Sequence, residues 1–237
     1  MIKIEKLNKS FTTLDVLKDV NLVFDRGEVV CLIGPNGSGK TTLIKCLLGL
    51  VIPDAGSVYY KDKPVLGTWA YRREFGYMPQ ISRFPEHIKV RQVFQMMKDL
   101  RSNDGVIDED LLRAFSIDSI MEKRMAYLSG GTRQKVSAAL AYLFSPEVLI
   151  LDEPTAGLDP ISSEQLKAKV MKEKHKGKLT LITSHNMTEV EELADRVIFI
   201  VEGSIQFSKT VEDIKNETSE SRLGKALAVM MEGFVHA

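Results

Sequence analysis

The segment GPNGSGKT, residues 34–41, combines glycines, a lysine and a threonine at the spacing G-x-x-x-x-G-K-[ST], which is typical of a phosphate-binding loop. Glycines let the backbone curl so that its N–H groups point at a phosphate beside the positive N-terminus of a helix. Lys40 is expected to reach the β- and γ-phosphates of a nucleotide, and the Thr41 hydroxyl to ligate Mg²⁺. The predicted nucleotide contacts are Gly34, Pro35, Asn36, Gly37, Ser38, Gly39, Lys40, Thr41 and Thr42.

Two adjacent carboxylates, Asp152 and Glu153, follow the apolar run VLIL. Consecutive strand residues point to opposite sides, so we expect the two acids to have different roles. Asp152 is expected to hold the Mg²⁺ shell and Glu153 to polarise an attacking water. The alternative is a helix cap and a solvated acid at the end of a strand. That alternative would be favoured if the chain had no phosphate loop.

His185 and Gln80 are the other side chains expected near the phosphates. His185 directly follows the apolar run LTLITS, and Gln80 ends the run YMPQ. Ligands of open α/β sheets bind outside the carboxyl ends of the strands, so the phosphate loop, the two acids and His185 should meet in one crevice. The Gln80 amide could contact Mg²⁺ or water, although a surface glutamine is the default interpretation from its chemistry alone.

The elements that must position these residues follow from the hydrophobic pattern. The continuous apolar runs VVCLIG, VLILDE and LTLITSH are typical of buried parallel strands, and helical patterns separate them. Residues 85–145 read as helical throughout, and VIFIVEGSIQF reads as a hairpin that turns at residues 202–204. The pattern predicts an α/β fold with a mostly parallel sheet covered on both faces, and a helical subdomain inserted into it.

Composition narrows the function classes. The 237 residues include 32 basic and 32 acidic side chains, which argues against an electrostatic nucleic-acid binder. The two cysteines lack metal-ligand spacing and are expected to be reduced core thiols. The N-terminus does not resemble a signal peptide, and no apolar stretch approaches the ~20 residues that cross a bilayer. We therefore expect a soluble protein whose membrane role, if any, comes through a partner.

Taken together, these residues resemble the ATP-binding-cassette ATPases. LSGGTRQKV, residues 128–136, is similar to the signature motif of that family and precedes VLILDEP at the family's distance. AGLD, residues 156–159, resembles the D-loop, Gln80 the Q-loop glutamine and His185 the switch histidine. Phe11 stands where the family places an adenine-stacking aromatic, with a core phenylalanine as the alternative. The resemblance covers roughly residues 1–207.

The resemblance implies a P-loop NTPase core with an N-terminal antiparallel β subdomain and an inserted helical subdomain. The implied boundaries are a core of residues 1–84 and 146–207, a helical subdomain of residues 85–145 and a short helical tail of residues 208–237. It also implies that two such domains pair head to tail, as a homodimer or with a related subunit. Ser129, Gly130 and Gly131 would then contact ATP held by the partner, and Asp159 would join the nucleotide site. Thr132 departs from the family's usual glutamine.

The family further implies an ATPase that uses ATP and Mg²⁺, with Glu153 and His185 as its catalytic residues and Thr41, Gln80 and Asp152 around the metal. It would power a separate polytopic permease from the cytoplasmic face of the inner membrane. Residues 81–90, with Phe84, Pro85 and Ile88, would form part of the docking surface, although a plain apolar turn is the alternative.

Several stretches look most like exporter ATPases, and within these like the copper-processing ATPase of nitrous-oxide reductase maturation. One rival hypothesis is a soluble assembly ATPase, for example for iron–sulfur clusters. A GTP-binding switch is a second rival, but the chain has no N-K-x-D motif. A subunit that only binds nucleotide is disfavoured because Lys40, Glu153 and His185 are all present.

Overall fold

The computed structural model describes residues 1–101 and 106–235. Within these ranges the strands are β1 (Ile2–Phe11), β2 (Leu14–Phe24), β3 (Val29–Ile33), β4 (Ala55–Tyr60), β5 (Lys63–Pro64), β6 (Phe75–Met78), β7 (Val148–Asp152), β8 (Leu179–Thr183), β9 (Arg196–Val201) and β10 (Ser204–Thr210). The α-helices are α1 (Lys40–Leu47), α2 (Val90–Leu100), α3 (Asp110–Ala114), α4 (Gly130–Tyr142), α5 (Pro160–His175), α6 (Met187–Leu193), α7 (Val211–Thr218) and α8 (Leu223–Val235). These elements confirm the predicted α/β fold.

The strands form two sheets in the described residues. One is antiparallel and has the order β2-β1-β4-β5. The other has the order β10-β9-β3-β8-β7-β6, with all neighbours parallel except the β9–β10 hairpin. Every residue of β3, β7 and β8 is buried, as expected for parallel strands covered on both faces. The predicted mostly parallel sheet and its terminal hairpin are confirmed.

Alternation along the central strands divides the core between the faces of this sheet. Val30 and Leu32 of β3 pack on one face, in a cluster with α1 and the antiparallel sheet. Val29 packs on the other face with residues of the helices between β6 and β8. Cys31 and Ile33 pack with α6, α7 and α8. Successive side chains of a strand point to opposite faces, so one apolar run supports both helical layers. Both cysteines are buried free thiols, as predicted.

The described part of the segment between β6 and β7 contains the predicted helices α2, α3 and α4, and two short 3₁₀ turns lie between α3 and α4. Residues 102–105 of the predicted helical subdomain lie outside the described residues. Lys89 and Arg124 form an isolated bridge there in the described residues. Lys169 of α5 anchors this layer, because its ammonium pairs with Asp108 and lies 2.8 Å from Asp110 Oδ2 and 3.0 Å from Glu173 Oε1. The subdomain boundaries remain predictions.

The last part of the described chain forms α7 and α8, which pack against each other and against β9 and β10. Positions 236 and 237 of the predicted tail lie outside the described residues. Across the ranges that the structure describes, we find no helix with both the length and the apolar character to span a bilayer.

Candidate functional site

Four neighbouring strands of the parallel sheet end at the same edge. Their order is β3-β8-β7-β6, and they lead into the phosphate loop, His185, Glu153 and Gln80 respectively. The expected convergence of strand ends follows directly from this strand order. The residues line a cleft of about 270 Å³, hereafter the phosphate cleft, formed by Leu14, Val16, residues 36–42, Gln80, Asp152, Glu153, Thr183 and His185.

Two glycines of the loop, Gly34 and Gly37, differ in the space that surrounds them. A Cβ on Gly34, at φ 153°, would lie 2.1 Å from the Ile200 carbonyl oxygen, so the fold itself requires glycine there. A Cβ on Gly37, at φ 80°, would meet nothing within 4 Å, so this glycine faces open space. The open side lies in the phosphate cleft, where the N–H groups of the loop and of the first turn of α1 can meet an anion.

Lys40 points back along the loop that it is expected to serve. Its ammonium donates to the carbonyl oxygens of Gly34, at 2.7 Å, and Pro35, at 2.9 Å. Burial lowers the pKa of Lys40, and the charges of Glu153 and Asp152 oppose that effect. The ammonium therefore lies against the backbone of the phosphate loop, where the negative charges of Glu153 and Asp152 favour its protonated form.

Ser38 provides a test of whether a phosphate fits this cleft. The side chain is buried, and its hydroxyl has no hydrogen-bond partner among the described residues. A buried hydroxyl without a partner is costly, and a phosphate oxygen is an acceptor of the kind it lacks. The donor-rich loop and the carboxylate of Asp152 opposite it thus suit a nucleotide phosphate together with a divalent cation such as Mg²⁺.

The two acids are arranged differently from the expectation for consecutive strand residues. Asp152 ends β7, but Glu153 lies beyond it with φ 52°, in the left-handed region. Its N–H donates to the carbonyl oxygen of Thr183 at 3.1 Å and to the Thr183 hydroxyl at 3.0 Å. That hydroxyl in turn donates to Asp152 Oδ1 at 2.5 Å. Both carboxylates consequently line the same cleft, and Thr183, which sequence reasoning missed, holds them there.

Glu153 faces His185 across the cleft. His185 Nε2 lies 3.2 Å from Glu153 Oε1, and the exposed fractions of the two side chains are 55% and 14%. Burial is the largest cause that raises the pKa of Glu153, and the neighbouring His185 opposes it. A buried carboxylate with a raised pKa is a better proton acceptor than an exposed one, which suits a residue that orients and deprotonates water.

The first turn of α4 contains Ser129, Gly130 and Gly131. Ser129 caps the helix by accepting the Thr132 N–H at 3.2 Å, and the two hydroxyls lie 2.8 Å apart. Thr132 thus contributes both its backbone N–H and its hydroxyl to the contacts of the cap. A Cβ on Gly130 would meet nothing within 4 Å, whereas one on Gly131 would lie 2.5 Å from the Gly157 carbonyl oxygen.

Gly130 and Gly131 do not face the phosphate loop of the same chain. They line a second cleft of about 620 Å³, hereafter the signature cleft, together with Ala156 and Gly157. Among the residues that the structure describes, Gln80 is the one that lines both clefts. The two helix N-termini therefore open onto different spaces.

Asp159 is the N-cap of α5. Its carboxylate accepts the Ser162 N–H at 3.0 Å and the Ser162 hydroxyl at 2.8 Å, and it lies 2.6 Å from the Lys135 ammonium. The hydrogen bond from Lys135 is the largest cause that lowers the pKa of Asp159. Asp159 lines neither cleft in this protomer, so its predicted nucleotide contact stays a prediction.

Phe11 lies at the end of β1 with 47% of its surface exposed, which excludes the core alternative. The Lys9 ammonium is 5.2 Å from the centre of its ring. Adenine stacking on Phe11 remains a prediction. Leu14 and Val16 of β2 line the phosphate cleft directly, and sequence reasoning missed them. Alternation along VLKDVNLVF gave no signal for a ligand-facing side chain.

Comparisons with known proteins agree with this geometry. The family model described as "ABC transporter" matches residues 17–156. The lantibiotic transport ATP-binding protein SrtF of Streptococcus pyogenes is 35% identical and covers 91% of this chain and 93% of its own length. The arginine transport ATP-binding protein ArtM of Bacillus subtilis is 37% identical, with coverages of 86% and 89%. The lipopolysaccharide export system ATP-binding protein LptB of Haemophilus influenzae is 32% identical, with coverages of 92% and 94%.

Solved structures agree as well. The structure of an ATP-binding subunit of an ABC transporter superposes with a TM-score of 0.88 at 29% identity and covers 98% of this chain and 99% of its own. The dimeric structure of MJ0796, a bacterial ABC transporter cassette, has a TM-score of 0.79 at 22% identity, with coverages of 89% and 98%. At this identity, the likeness to MJ0796 supports the fold alone.

Proposed function

Because the chain belongs to the ABC transporter family and is one of its ATPases, we propose that it powers a separate membrane permease by binding and hydrolysing ATP between two paired subunits. One observation carries the pairing. The phosphate loop and the signature glycines are on one chain but line different clefts. A signature that does not line the phosphate cleft of its own chain is available to the nucleotide of a second one.

Each proposed site combines the phosphate loop of one subunit with the signature of the other, and its residues have separate roles. The N–H groups of residues 36–42 and the Lys40 ammonium bind the phosphate oxygens. Mg²⁺ supplies positive charge against those oxygens, and its proposed ligands are Thr41, Gln80 and Asp152. Glu153 accepts a proton from the attacking water, and His185 holds that carboxylate in place at 3.2 Å. The partner's phosphate group meets the exposed first turn of α4, at Ser129, Gly130 and Gly131.

Glu153→Gln tests this proposal. The amide keeps the size of the side chain but cannot accept the proton, so ATP should still bind, turnover should nearly cease and the ATP-bound dimer should accumulate. Light scattering after gel filtration with ATP measures the dimer, and phosphate release measures turnover. Glu147→Gln is the matched control, because Glu147 is a surface acid paired with Arg26 at the other end of β7. A monomeric Glu153→Gln variant with normal turnover would contradict the proposal.

The proposed docking surface for the permease lies beside the signature cleft. Phe84 and Ile88 are half-buried against the helical layer, while Pro85 is exposed. Phe84 also lines a largely apolar groove of about 400 Å³ with Val93, Met97 and Leu140. We assign this groove to a segment of a polytopic permease, which would place the chain on the cytoplasmic face of the inner membrane. Co-purification with such a permease supports the assignment, and a soluble scaffold as the sole partner counts against it.

The direction of transport is proposed from sequence similarity. The relatives above include one named for export and one for arginine transport, and therefore do not choose a direction. The exporter proposal rests on the resemblance of residues 78–94, 128–144 and 152–160 to exporter ATPases. Its most specific form is copper processing for nitrous-oxide reductase. Deletion of the gene should then yield reductase that lacks copper, and reductase with normal copper content would contradict that form.

A further inference from the structure

Lys135 joins two segments that the proposed function assigns to the partner's nucleotide. It lies on α4, one and a half turns beyond Gly130, and its ammonium is 2.6 Å from Asp159 Oδ2. Asp159 ends the D-loop and caps α5. The pair therefore connects the signature helix to the segment that follows Glu153.

Beside the ion pair, the backbone of the D-loop makes a close contact with the first turn of α4. The carbonyl oxygen of Gly157 lies 2.5 Å from the position that a Cβ of Gly131 would occupy. Such an approach leaves no room for a side chain, so the D-loop backbone rests directly on the first turn of α4. Steric contact and charge thus act at two points of one short interface.

The lysine is restrained as well as paired. Only 23% of its side chain is exposed, and its ammonium lies 5.9 Å from the centre of the Phe115 ring. Asp159 also accepts two hydrogen bonds from Ser162, which fix the carboxylate. The Asp159 side chain is 48% exposed, so solvent screens the two charges, but both partners are already held in place and lose little additional side-chain entropy on pairing.

The D-loop is short and internally bonded. Ala156 N–H donates to the Glu153 carbonyl oxygen at 3.2 Å, and Leu158 N–H donates to the Thr155 carbonyl oxygen at 3.1 Å. Six positions separate Glu153 from Asp159. This segment therefore links α4, through Lys135 and Asp159, to the residue proposed to orient water.

We propose that Lys135 is a positioning residue, which holds the signature helix and the D-loop as one body so that both meet the partner's nucleotide together. The proposal rests on the proposed function, since it assumes that these segments close on a second subunit. It assigns Lys135 no contact with ATP. Its effect should appear in pairing and turnover and not in binding of ATP to the phosphate loop.

The test compares Lys135→Met, Lys135→Arg and Asp159→Asn, alone and combined. In the Glu153→Gln background, Lys135→Met should weaken ATP-driven dimer formation by about fivefold or more. With Glu153 present it should lower kcat by a similar factor, while the Kd of the monomer for ATP stays unchanged. Lys135→Arg keeps the charge and should restore most of both. Lys167→Met is the matched control, because Lys167 is a similarly covered lysine whose acidic partners lie on α5 and α6.

A double-mutant cycle separates positioning from a general loss of stability. If the pair is the cause, Lys135→Met should add little to Asp159→Asn, whose amide preserves the cap of α5. The proposal is overturned if Lys135→Met pairs and hydrolyses like Lys167→Met, or if the two substitutions are additive. Failure of the Glu153→Gln parent to pair at all would instead overturn the proposed function, and this inference with it.

Discussion

Alanine at Gly131 should destabilise the protomer without nucleotide, whereas alanine at the adjacent Gly130 should not. Neither glycine has a positive φ, so the backbone accepts alanine at both positions. The new Cβ at Gly131 would lie 2.5 Å from the Gly157 carbonyl oxygen, while ordinary contacts begin near 3.4 Å. The helix or the D-loop must therefore move by most of an ångström. At Gly130 the methyl group enters open space.

The magnitude follows from two opposing effects. Replacing a helical glycine by alanine stabilises a helix by up to ~1 kcal/mol at either position. Overpacking at Gly131 should cost ~1–3 kcal/mol, because the obstacle is backbone and not a movable side chain. The two variants should thus differ by ~2 kcal/mol in the free energy of unfolding. For a chain of this size that corresponds to a difference of ~4–8 °C in Tm.

Thermal unfolding followed by circular dichroism, without nucleotide, measures this difference. Equal Tm values for the two variants would refute the argument that the D-loop backbone rests on Gly131. ATP-driven pairing and turnover, measured on the same variants, then distinguish an effect on function from an effect on stability. Gly130→Ala should keep or slightly exceed the stability of the parent protein and still lose ATP-driven pairing, because its methyl group occupies the surface proposed to face the partner's phosphate.

Three further predictions concern other parts of the chain. Lys40→Ala should raise the Kd for ATP, measured by calorimetry, by at least about tenfold with little change in Tm; unchanged affinity would contradict its assigned role. Lys169→Met leaves the buried Asp108 without its lysine, although Glu173 keeps Lys176 and Lys178, and should lower the free energy of unfolding in urea by ~3 kcal/mol, against at most ~1 kcal/mol for the exposed Lys172→Met. Burial raises the pKa of Glu153, so turnover should fall on acidification at a higher pH than for an ordinary glutamate. His185→Ala removes an influence that lowers that pKa and should move this limb of the pH profile to still higher pH; an unmoved limb would contradict the contact.

The part of the fold that sequence predicted is the part in which local pattern and topology agree. Short apolar runs such as residues 29–33 and 148–151 are typical of strands covered on both faces, and neighbouring parallel strands end at a common edge. Given that edge, the phosphate loop, the acids and His185 had to converge. The helices α2, α3 and α4 between β6 and β7 followed from the spacing of apolar residues.

Contacts between residues that are far apart in the sequence could not be predicted from the local hydrophobic pattern. Lys135 lies within LSGGTRQKV, but neither it nor Thr183 received a role from the sequence. Their importance comes from Asp159, 24 positions on, and from Asp152, 31 positions back. Phe11 was undecided since exposure depends on what the rest of the chain covers. The separation of the signature cleft from the phosphate cleft is likewise a property of the folded chain.

The geometry at Glu153 shows how tertiary contacts replaced the arrangement that strand alternation predicts. Had β7 continued, Glu153 would point away from Asp152, across the sheet. Instead the chain turns at a left-handed φ of 52°, which costs roughly 1 kcal/mol or more for a residue with a side chain. Thr183 offsets that cost, since its carbonyl and hydroxyl oxygens both accept the Glu153 N–H while its hydroxyl donates to Asp152. The roles proposed for the two acids differ because their partners differ: Asp152 is hydrogen-bonded and buried, whereas Glu153 meets His185 at the opening of the cleft.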